Sequence, residues 1–283
     1  MIEKLPYQVK MAICYDFDGT LAPGNMQEYG FIEKLDMTPD EFWKKSNQLA
    51  KTKKVDNILA YMYQMREEAL DKNVAFTKKD LTDYAAKVEL FEGVEKWFSR
   101  INAYAQKKGV QLEHYIISSG LKEMVEGTKI APFFTEIFAS SFMYDKKGMA
   151  LWPALVVNYT NKTQFLYRIN KGCLDVSDND KINRHMNDED KPIPFENMIY
   201  IGDGDTDIPS MKTVKREGGH TIAVYQKHNK KKVKSLLGIE RADIIAPADY
   251  RAEKPIDVFV KSVIDKVVTD SNLKYLQKVL TEE

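Results

Sequence analysis

Two carboxylates follow an apolar run near the start of the chain, in the segment AICYDFDGTLAP. The run Met11–Tyr15 is typical of a strand buried on both faces, and Asp16 and Asp18 come directly after it. Side chains alternate along a strand, so both acids point to the same side, where they repel each other unless a cation or a shared proton is present. Ligands of parallel α/β sheets bind just outside the carboxyl ends of the strands. The pair therefore indicates a ligand site, with a simple Asp-containing turn as the alternative.

Polar side chains recur at three later points, where strands are predicted to end or helices to begin: Ser118 in LEHYIISSG, Lys162 in NKTQFLYRIN, and Asp203 and Asp207 in IGDGDTD. The hydroxyl of Ser118 and the backbone N–H groups after it could hold an anion at the start of a helix. Gly202 and Gly204 would let the backbone approach a ligand closely. Each signal is weak alone, since a lysine is usually solvated and a Gly-Asp loop is often only a turn. The order of acids, hydroxyl, lysine and acids is what points to one site.

The segment between the first strand and the rest of the chain has a helical pattern and no strand signal. Thr38 and Glu41 form a predicted capping box with Pro39 at the first helical position, and a second helix is predicted from Thr77. The methionines and tyrosines of this segment are interpreted as core residues. We therefore predict an all-helical block over residues 23–92, inserted directly above the two acids.

Beyond this block, predicted strands and helices alternate. A helix begins near Val94, a hairpin lies within 136–153 with its turn near Gly148, and strands are predicted at 220–225 and 242–247 with a helix between them. A helical tail follows Glu253. This alternation predicts an α/β fold with a doubly wound parallel sheet. Residues 1–22 and 93–283 would form the α/β core domain, and 23–92 the inserted helical domain.

Composition excludes several classes of function. The 283 residues contain 42 Lys+Arg and 42 Asp+Glu, so zero net charge favours neither nucleic acid nor a membrane as partner. The basic run at 227–234 is predicted to begin a solvated helix. Cys14 and Cys173 suggest neither a disulfide framework nor a zinc site, and no apolar run reaches about 18 residues. A cytoplasmic protein is the expectation, with its oligomeric state left open.

The four polar motifs together resemble those of the haloacid dehalogenase superfamily of hydrolases. The resemblance is carried by DFDGTL, IISSG, Lys162 and IGDGDTD, and it extends from about Met11 to about Pro247. The helical block is similar to the type-1 cap of that superfamily, and the spacing of about 100 residues between the first two motifs resembles the phosphoserine-phosphatase-like branch. The resemblance implies a Rossmann-like core with a cap that closes over the site.

It also implies a role for each motif residue. Asp16 would be the nucleophile that forms an aspartyl-phosphate, and Asp18 the general acid and base. Mg²⁺ would be held by Asp16, Asp203 and the backbone carbonyl of Asp18. The remaining roles are phosphate binding by Ser118, Ser119, Gly120 and Lys162, and orientation of the metal-bound water or of Lys162 by Asp207.

The resemblance implies a Mg²⁺-dependent phosphatase for a small phosphorylated metabolite. Asp18 favours phosphate esters over dehalogenation, because dehalogenating relatives usually lack an acid at that position. Transfer of the phosphoryl group to an acceptor other than water and non-catalytic binding of a phosphorylated ligand are the alternatives.

Substrate recognition is expected on the cap. Phosphoserine phosphatases have a Glu about nine positions after the nucleophile, where this chain has Asn25, with Glu28 a little further on. Arg66 is the only arginine of the block and a candidate for a substrate carboxylate. These three residues are the predicted recognition residues, and hinges are predicted near Gly24 and Gly93.

Overall fold

The computed structural model describes residues 8–226, 230, 233 and 242–281, which form an α/β structure on a seven-stranded sheet. Its strands lie in the order β4-β3-β2-β1-β5-β6-β7. They are β1 Val9–Tyr15, β2 Val110–Leu121, β3 Glu136–Tyr144, β4 Ala150–Leu155, β5 Met198–Gly202, β6 His220–Tyr225 and β7 Ile244–Pro247. Only β4 is antiparallel to its neighbour, as expected from the predicted hairpin. The predicted α/β class is confirmed.

Helices connect these strands and also form the block after β1. They are α1 Pro39–Lys53, α2 Asn57–Asp71, α3 Lys78–Tyr84, α4 Val94–Lys107, α5 Lys122–Glu126, α6 Lys162–Lys171, α7 Asn179–Asn183, α8 Ile208–Arg216 and α9 Pro255–Thr281. Thr38 and Glu41 form the predicted capping box of α1, and Thr77 caps α3 in the same way. The predicted helix between β6 and β7, with its basic run at 227–234, falls almost entirely outside the described residues.

Helices cover both faces of the sheet, because the side chains of each central strand are apolar on both faces. Met11, Ile13 and Tyr15 of β1 belong to one buried cluster, which includes residues of α4 and α9. Ala12 and Cys14 point to the opposite face, in a second cluster with residues of α6 and α8. This two-sided burial explains the continuous apolar run of β1 and confirms the doubly wound arrangement.

The helical block leaves and rejoins the sheet at neighbouring points. The Phe91 N–H donates to the Leu21 carbonyl across 2.9 Å, which joins the two connections. The later part of the block also contacts the core, since Lys78 forms an ion pair of 3.4 Å with Glu126 of α5. The division into domains at 22/23 and 92/93, and the hinges near Gly24 and Gly93, stay predictions.

Both cysteines are free and buried, and Cys14 lies within β1. Within the part of the chain that the structure describes, no helix has the length and apolar character needed to cross a membrane.

A chain of hydrogen bonds links β1 and β2 to α4. The Trp97 indole N–H donates to Tyr15 Oη at 2.8 Å, and Tyr15 Oη lies 3.0 Å from His114 Nδ1. The Nε2–H of His114 then donates to Asn102 Oδ1 at 2.8 Å. Each buried polar group of this chain therefore has a partner, and neutral His114 is the form that fits it.

Acid should weaken the fold through His114. Burial lowers the pKa of His114 from 6.5 to about 3. The unfolded chain takes up this proton near pH 6.5 and the folded chain does not, so the stabilisation is complete above pH 6.5 and is lost as the pH falls toward 3. We expect the free energy of unfolding to lose up to about 1.4 kcal/mol per pH unit in this window from His114 alone.

Urea denaturation between pH 7 and pH 4 measures this effect. In His114→Gln the titration is absent, so the fall in stability with pH should be shallower than in wild type. His185→Gln changes an exposed histidine and serves as the matched control. Identical pH slopes for wild type and His114→Gln would contradict the prediction.

Candidate active site

The two acids after β1 lie at the carboxyl edge of the sheet, beside the loop after β5. The Asp16 N–H donates to the Ile201 carbonyl at 2.9 Å, which continues the pairing of β1 with β5. Gly19 has a φ of +77°, and a Cβ there would lie 2.3 Å from Asp203 Oδ2. A glycine is therefore required where the first turn meets Asp203.

Lys162 joins the site from the start of α6. Its ammonium is fully buried and lies 3.0 Å from Asp16 Oδ1 and 2.7 Å from Asp207 Oδ1. Burying one ammonium is costly, and the two carboxylates offset that cost. Lys162 is thus placed where the weak sequence signal suggested, in contact with the first acid.

Asp207 is saturated by donors. Its Oδ1 accepts from Lys162 and, at 2.8 Å, from the Tyr200 hydroxyl, while Oδ2 accepts from the N–H groups of Asp203 and Gly204 at 3.2 and 3.0 Å. The carboxylate therefore fixes both the lysine and the loop after β5. Tyr200 was not among the predicted site residues, since a tyrosine inside a buried strand carries no sequence signal for this contact.

Three carboxylates offer oxygen atoms within 4.8 Å of one another: Asp16, Asp203 and Asp207. Oxygen donors of this kind suit Mg²⁺. Four hydrogen-bond donors already engage the Asp207 carboxylate, so a cation bound by Asp207 would have to compete with them. The carboxylate of Asp18 is not in this cluster, and the role of its backbone carbonyl as a metal ligand stays a prediction.

Burial and the neighbouring charges shift the pKa values of Asp16 and Lys162. Burial and the neighbouring Asp207 raise the pKa of Asp16 to about 6, although Lys162 acts to lower it. Burial acts to lower the pKa of Lys162, but Asp16 and Asp207 more than reverse this effect and raise it above its usual range. Lys162 is therefore a fixed positive charge, and a bound cation would further favour ionised Asp16.

Asp18 is held apart from the carboxylate cluster. Its Oδ1 accepts from the Met26 N–H at 2.9 Å. Burial and the negative charge of Asp16 raise the pKa of Asp18 well above its usual range, and Glu28 and Asp203 add to this effect. Asp16 and Asp18 thus have different surroundings. Asp16 contacts the ammonium of Lys162, whereas Asp18 contacts a neutral backbone amide.

Met26 connects Asp18 to the carboxyl end of β2. Its Sδ accepts from the Leu121 N–H at 3.2 Å, and a Cβ on Gly120 would lie 2.5 Å from its terminal methyl. No pattern in the sequence indicates this contact, because Met26 reaches this strand end only when the chain folds back after the first turn.

The carboxyl end of β2, which we call this loop because its pairing is irregular after Ser118, differs from its prediction in one respect. The strand continues to Leu121 through an irregularity after Ser118, and the Gly120 N–H donates to Ser118 Oγ at 3.1 Å. The expected free N–H of Gly120 is therefore already used in the structure. The Ser119 hydroxyl is buried and, within the described residues, has no hydrogen-bond partner, so it is the group of this loop that would gain most from a ligand.

These groups open into a cavity of about 410 Å³ between the sheet edge and the helical block. It is lined by Asp16, Asp18, Gly19, Gly24, Asn25, Gln27, Trp43, Ile58, Tyr61, Ser118, Ser119, Gly120, Tyr159, Asp203, Gly204, Asp205, Thr206 and Gln226. Asn25, one of the three predicted recognition residues, lines it. Glu28 lies behind Asn25, whose amide donates to Glu28 Oε1 at 2.7 Å.

Arg66 is not part of this cavity, which corrects its predicted role. It lines a separate apolar cavity of about 610 Å³ with Trp152 and donates to Glu67 at 3.0 Å. Tyr61 and Trp43 line the site instead. Tyr61 is one of the tyrosines that the sequence pattern assigned to the core. It is buried, and it also forms part of the cavity wall.

Comparisons with known proteins agree with this architecture. An uncharacterized protein of Borreliella burgdorferi is 29% identical over 273 residues, covering 85% of this chain and 91% of that protein. A haloacid dehalogenase family hydrolase of Salmonella enterica serovar Typhi superposes with a TM-score of 0.55 at 20% identity, covering 82% of this chain and 68% of that one. A phosphoserine phosphatase solved as a phospho-aspartyl intermediate analogue gives 0.52 at 16% identity, covering 90% and 99%. At these identities the two solved structures show a shared fold.

The family model of haloacid dehalogenase-like hydrolases matches residues 13–212. That range is most of the chain and contains Asp16, Asp18, Ser118, Lys162 and the Asp203–Asp207 loop. The chain therefore belongs to the haloacid dehalogenase-like hydrolase family.

Proposed function

We propose that this protein is a Mg²⁺-dependent phosphatase that hydrolyses a small phosphomonoester through an aspartyl-phosphate on Asp16. The observation that carries the proposal is the contact of a fully buried ammonium, Lys162, with Asp16 Oδ1 at 3.0 Å, on a cavity that also exposes Asp18. A carboxylate positioned by a permanent cation suits attack on an anionic ester, because the cation offsets the charge repulsion. A cytoplasmic location stays a prediction.

In the first step, a carboxylate oxygen of Asp16 would attack phosphorus while the bond from phosphorus to the leaving alcohol breaks. The leaving oxygen needs a proton, and Asp18 would donate it. The raised pKa of Asp18 supports this role, since burial and Asp16 favour its neutral form.

In the second step, Asp18 is a carboxylate and would take a proton from water. The water oxygen would then bond to phosphorus as the bond to Asp16 breaks, which releases phosphate and restores both acids. The Met26 N–H at 2.9 Å from Asp18 Oδ1 would keep the acid in place for both transfers.

Asp16 and Asp203 would hold Mg²⁺, which when bound supplies positive charge against the phosphate oxygens. Lys162 adds charge from the protein side, and Asp207 fixes the lysine through a contact of 2.7 Å. Ser118 and the Ser119 hydroxyl, which has no hydrogen-bond partner among the described residues, would bind phosphate oxygens at the cavity wall.

Metal removal tests the proposed function. Purified protein should hydrolyse p-nitrophenyl phosphate with added Mg²⁺ and lose at least about 99% of that rate in excess EDTA, because the carboxylate pair then repels the anionic ester. Restoring Mg²⁺ should restore the rate. Full turnover in EDTA after metal is stripped would contradict the assignment of Asp16 and Asp203, and no turnover with Mg²⁺ would contradict the phosphatase itself.

A further inference from the structure

The part of the cavity contributed by the helical block is aromatic. Trp43 of α1 and Tyr61 of α2 both line it, with ring centroids 5.9 Å apart and planes at 72°. We call this pair the aromatic corner. The polar atoms of the corner are already engaged: the Trp43 N–H donates to Glu28 Oε1 at 2.8 Å, and the Tyr61 hydroxyl donates to the Ser119 carbonyl at 2.7 Å. The corner therefore adds aromatic surface rather than a free N–H or O–H to the cavity wall, mostly that of the partly buried Trp43, since Tyr61 is only 4% exposed.

Negative charge lies behind the corner. Glu28 Oε1 accepts from Asn25 and Trp43, and its other oxygen lies against Gly24. The residues that contact Glu28 all line the cavity: Gly24, Asn25 and Trp43. The Glu28 carboxylate is therefore separated from a ligand in the cavity by these residues alone. Among the described residues, Glu28 accepts from these neutral donors and forms no ion pair with a lysine or arginine.

Positive side chains are missing from the same wall. Of the residues that the structure describes, no lysine or arginine lines this cavity, and Lys162 lies beneath Asp16 at the phosphate end. Arg66, the one arginine of the block, lines the other cavity. Within the described part of the chain, a carboxylate on the leaving group would thus find no lysine or arginine on this wall and would lie beside the charge of Glu28.

An ammonium group on the leaving alcohol, unlike a carboxylate, would be attracted by the groups of this wall. Cations are attracted to the faces of Trp and Tyr rings, and the attraction grows when water is excluded. A carboxylate one layer away adds to it at short range. We infer that the preferred substrate is a phosphomonoester whose leaving alcohol carries an ammonium group and no carboxylate, recognised by the aromatic corner and Glu28. This inference rests on the proposed phosphatase function.

Matched pairs of esters test the inference. Phosphoethanolamine differs from hydroxyethyl phosphate only in replacing a hydroxyl by an ammonium, and from phosphoserine only in lacking the carboxylate. We expect kcat/KM for phosphoethanolamine to exceed both by roughly tenfold, the size of a partly desolvated cation–π contact. Phosphocholine should share the advantage, and phosphoglycolate should be the poorest of the set.

Two outcomes are distinguishable failures. If p-nitrophenyl phosphate is hydrolysed but phosphoserine, hydroxyethyl phosphate or phosphoglycolate equals or exceeds phosphoethanolamine, the inference is overturned and the phosphatase stands. If none of these esters, including p-nitrophenyl phosphate, is hydrolysed with Mg²⁺, the proposed function is overturned and the inference with it.

Variants of Glu28 and Trp43 test whether these residues cause the preference for an ammonium group. The readout is the ratio of kcat/KM for phosphoethanolamine to that for hydroxyethyl phosphate, which a general loss of activity does not move. Glu28→Gln removes the charge and keeps an acceptor oxygen, and Trp43→Leu removes the ring, so each should lower the ratio by roughly five- to tenfold. Trp43→Phe retains a ring face and should lose less.

Glu67→Gln is the matched control, because Glu67 contacts Arg66 away from this cavity, and its ratio should equal that of wild type. A ratio that is the same in Glu28→Gln, Trp43→Leu and wild type would overturn the role of the corner.

Discussion

Replacing Asp16 with asparagine is expected to reduce turnover of every phosphate ester by roughly four orders of magnitude or more. The amide is a poor nucleophile, and it also removes one of the two carboxylates proposed to hold the cation. The effect should be the same for alkyl esters and for p-nitrophenyl phosphate, because both need the same attacking oxygen. Steady-state assays with each ester measure it.

Folding is the control for this variant. Lys162 keeps its 2.7 Å contact with Asp207 when Asp16 is changed, so Asp16→Asn should remain folded by thermal denaturation. Asp180→Asn changes an exposed aspartate of α7 in the same way and should retain wild-type activity. A folded Asp16→Asn protein that keeps more than about 1% of the wild-type rate would assign the nucleophile to another residue.

Replacing Asp18 with asparagine should separate the two acids. The variant keeps the nucleophile and loses the proton donor, so turnover of alkyl phosphates should fall by roughly two to four orders of magnitude. The first step should be less affected for p-nitrophenyl phosphate, whose leaving group needs no proton. The Asn side-chain oxygen can still accept from the Met26 N–H, so the loss reports chemistry rather than displacement of the side chain.

Single-turnover kinetics measure the two steps of Asp18→Asn. Release of p-nitrophenol should show a rapid burst followed by slow release of phosphate, since only the second step then requires the base. Equal slowing of the first step for alkyl and p-nitrophenyl esters would remove Asp18 from the acid role.

Much of the fold was predictable because its signals are local. The apolar run before Asp16 is a strand that is buried on both faces, and the Thr38–Glu41 capping box begins α1. The core of the site was predictable for a topological reason: parallel strands place their carboxyl ends on one edge, so residues far apart in sequence meet there. Lys162 contacts Asp16 although 146 positions separate them.

The cap wall was not predictable in the same way. Which side of α2 faces the cavity depends on how the block packs over the sheet. Tyr61 and Arg66 are five positions apart, about 140° around a helix, so when Tyr61 faces the site Arg66 points elsewhere. Met26 and Trp43 reach the site only through chain reversals that leave no periodic pattern. The engaged Gly120 N–H reflects an irregular strand end of the same kind.

The central claim is that Asp16 carries the phosphoryl group during turnover. The most direct measurement is acid quenching of the enzyme with p-nitrophenyl phosphate and Mg²⁺, followed by peptide mass spectrometry. We predict a phosphoryl group on Asp16 in the wild-type protein, more of it in Asp18→Asn, where its hydrolysis is slowed, and none in Asp16→Asn. Phosphorylation of a different residue in the wild-type protein, or labelling that persists in Asp16→Asn, would contradict the account.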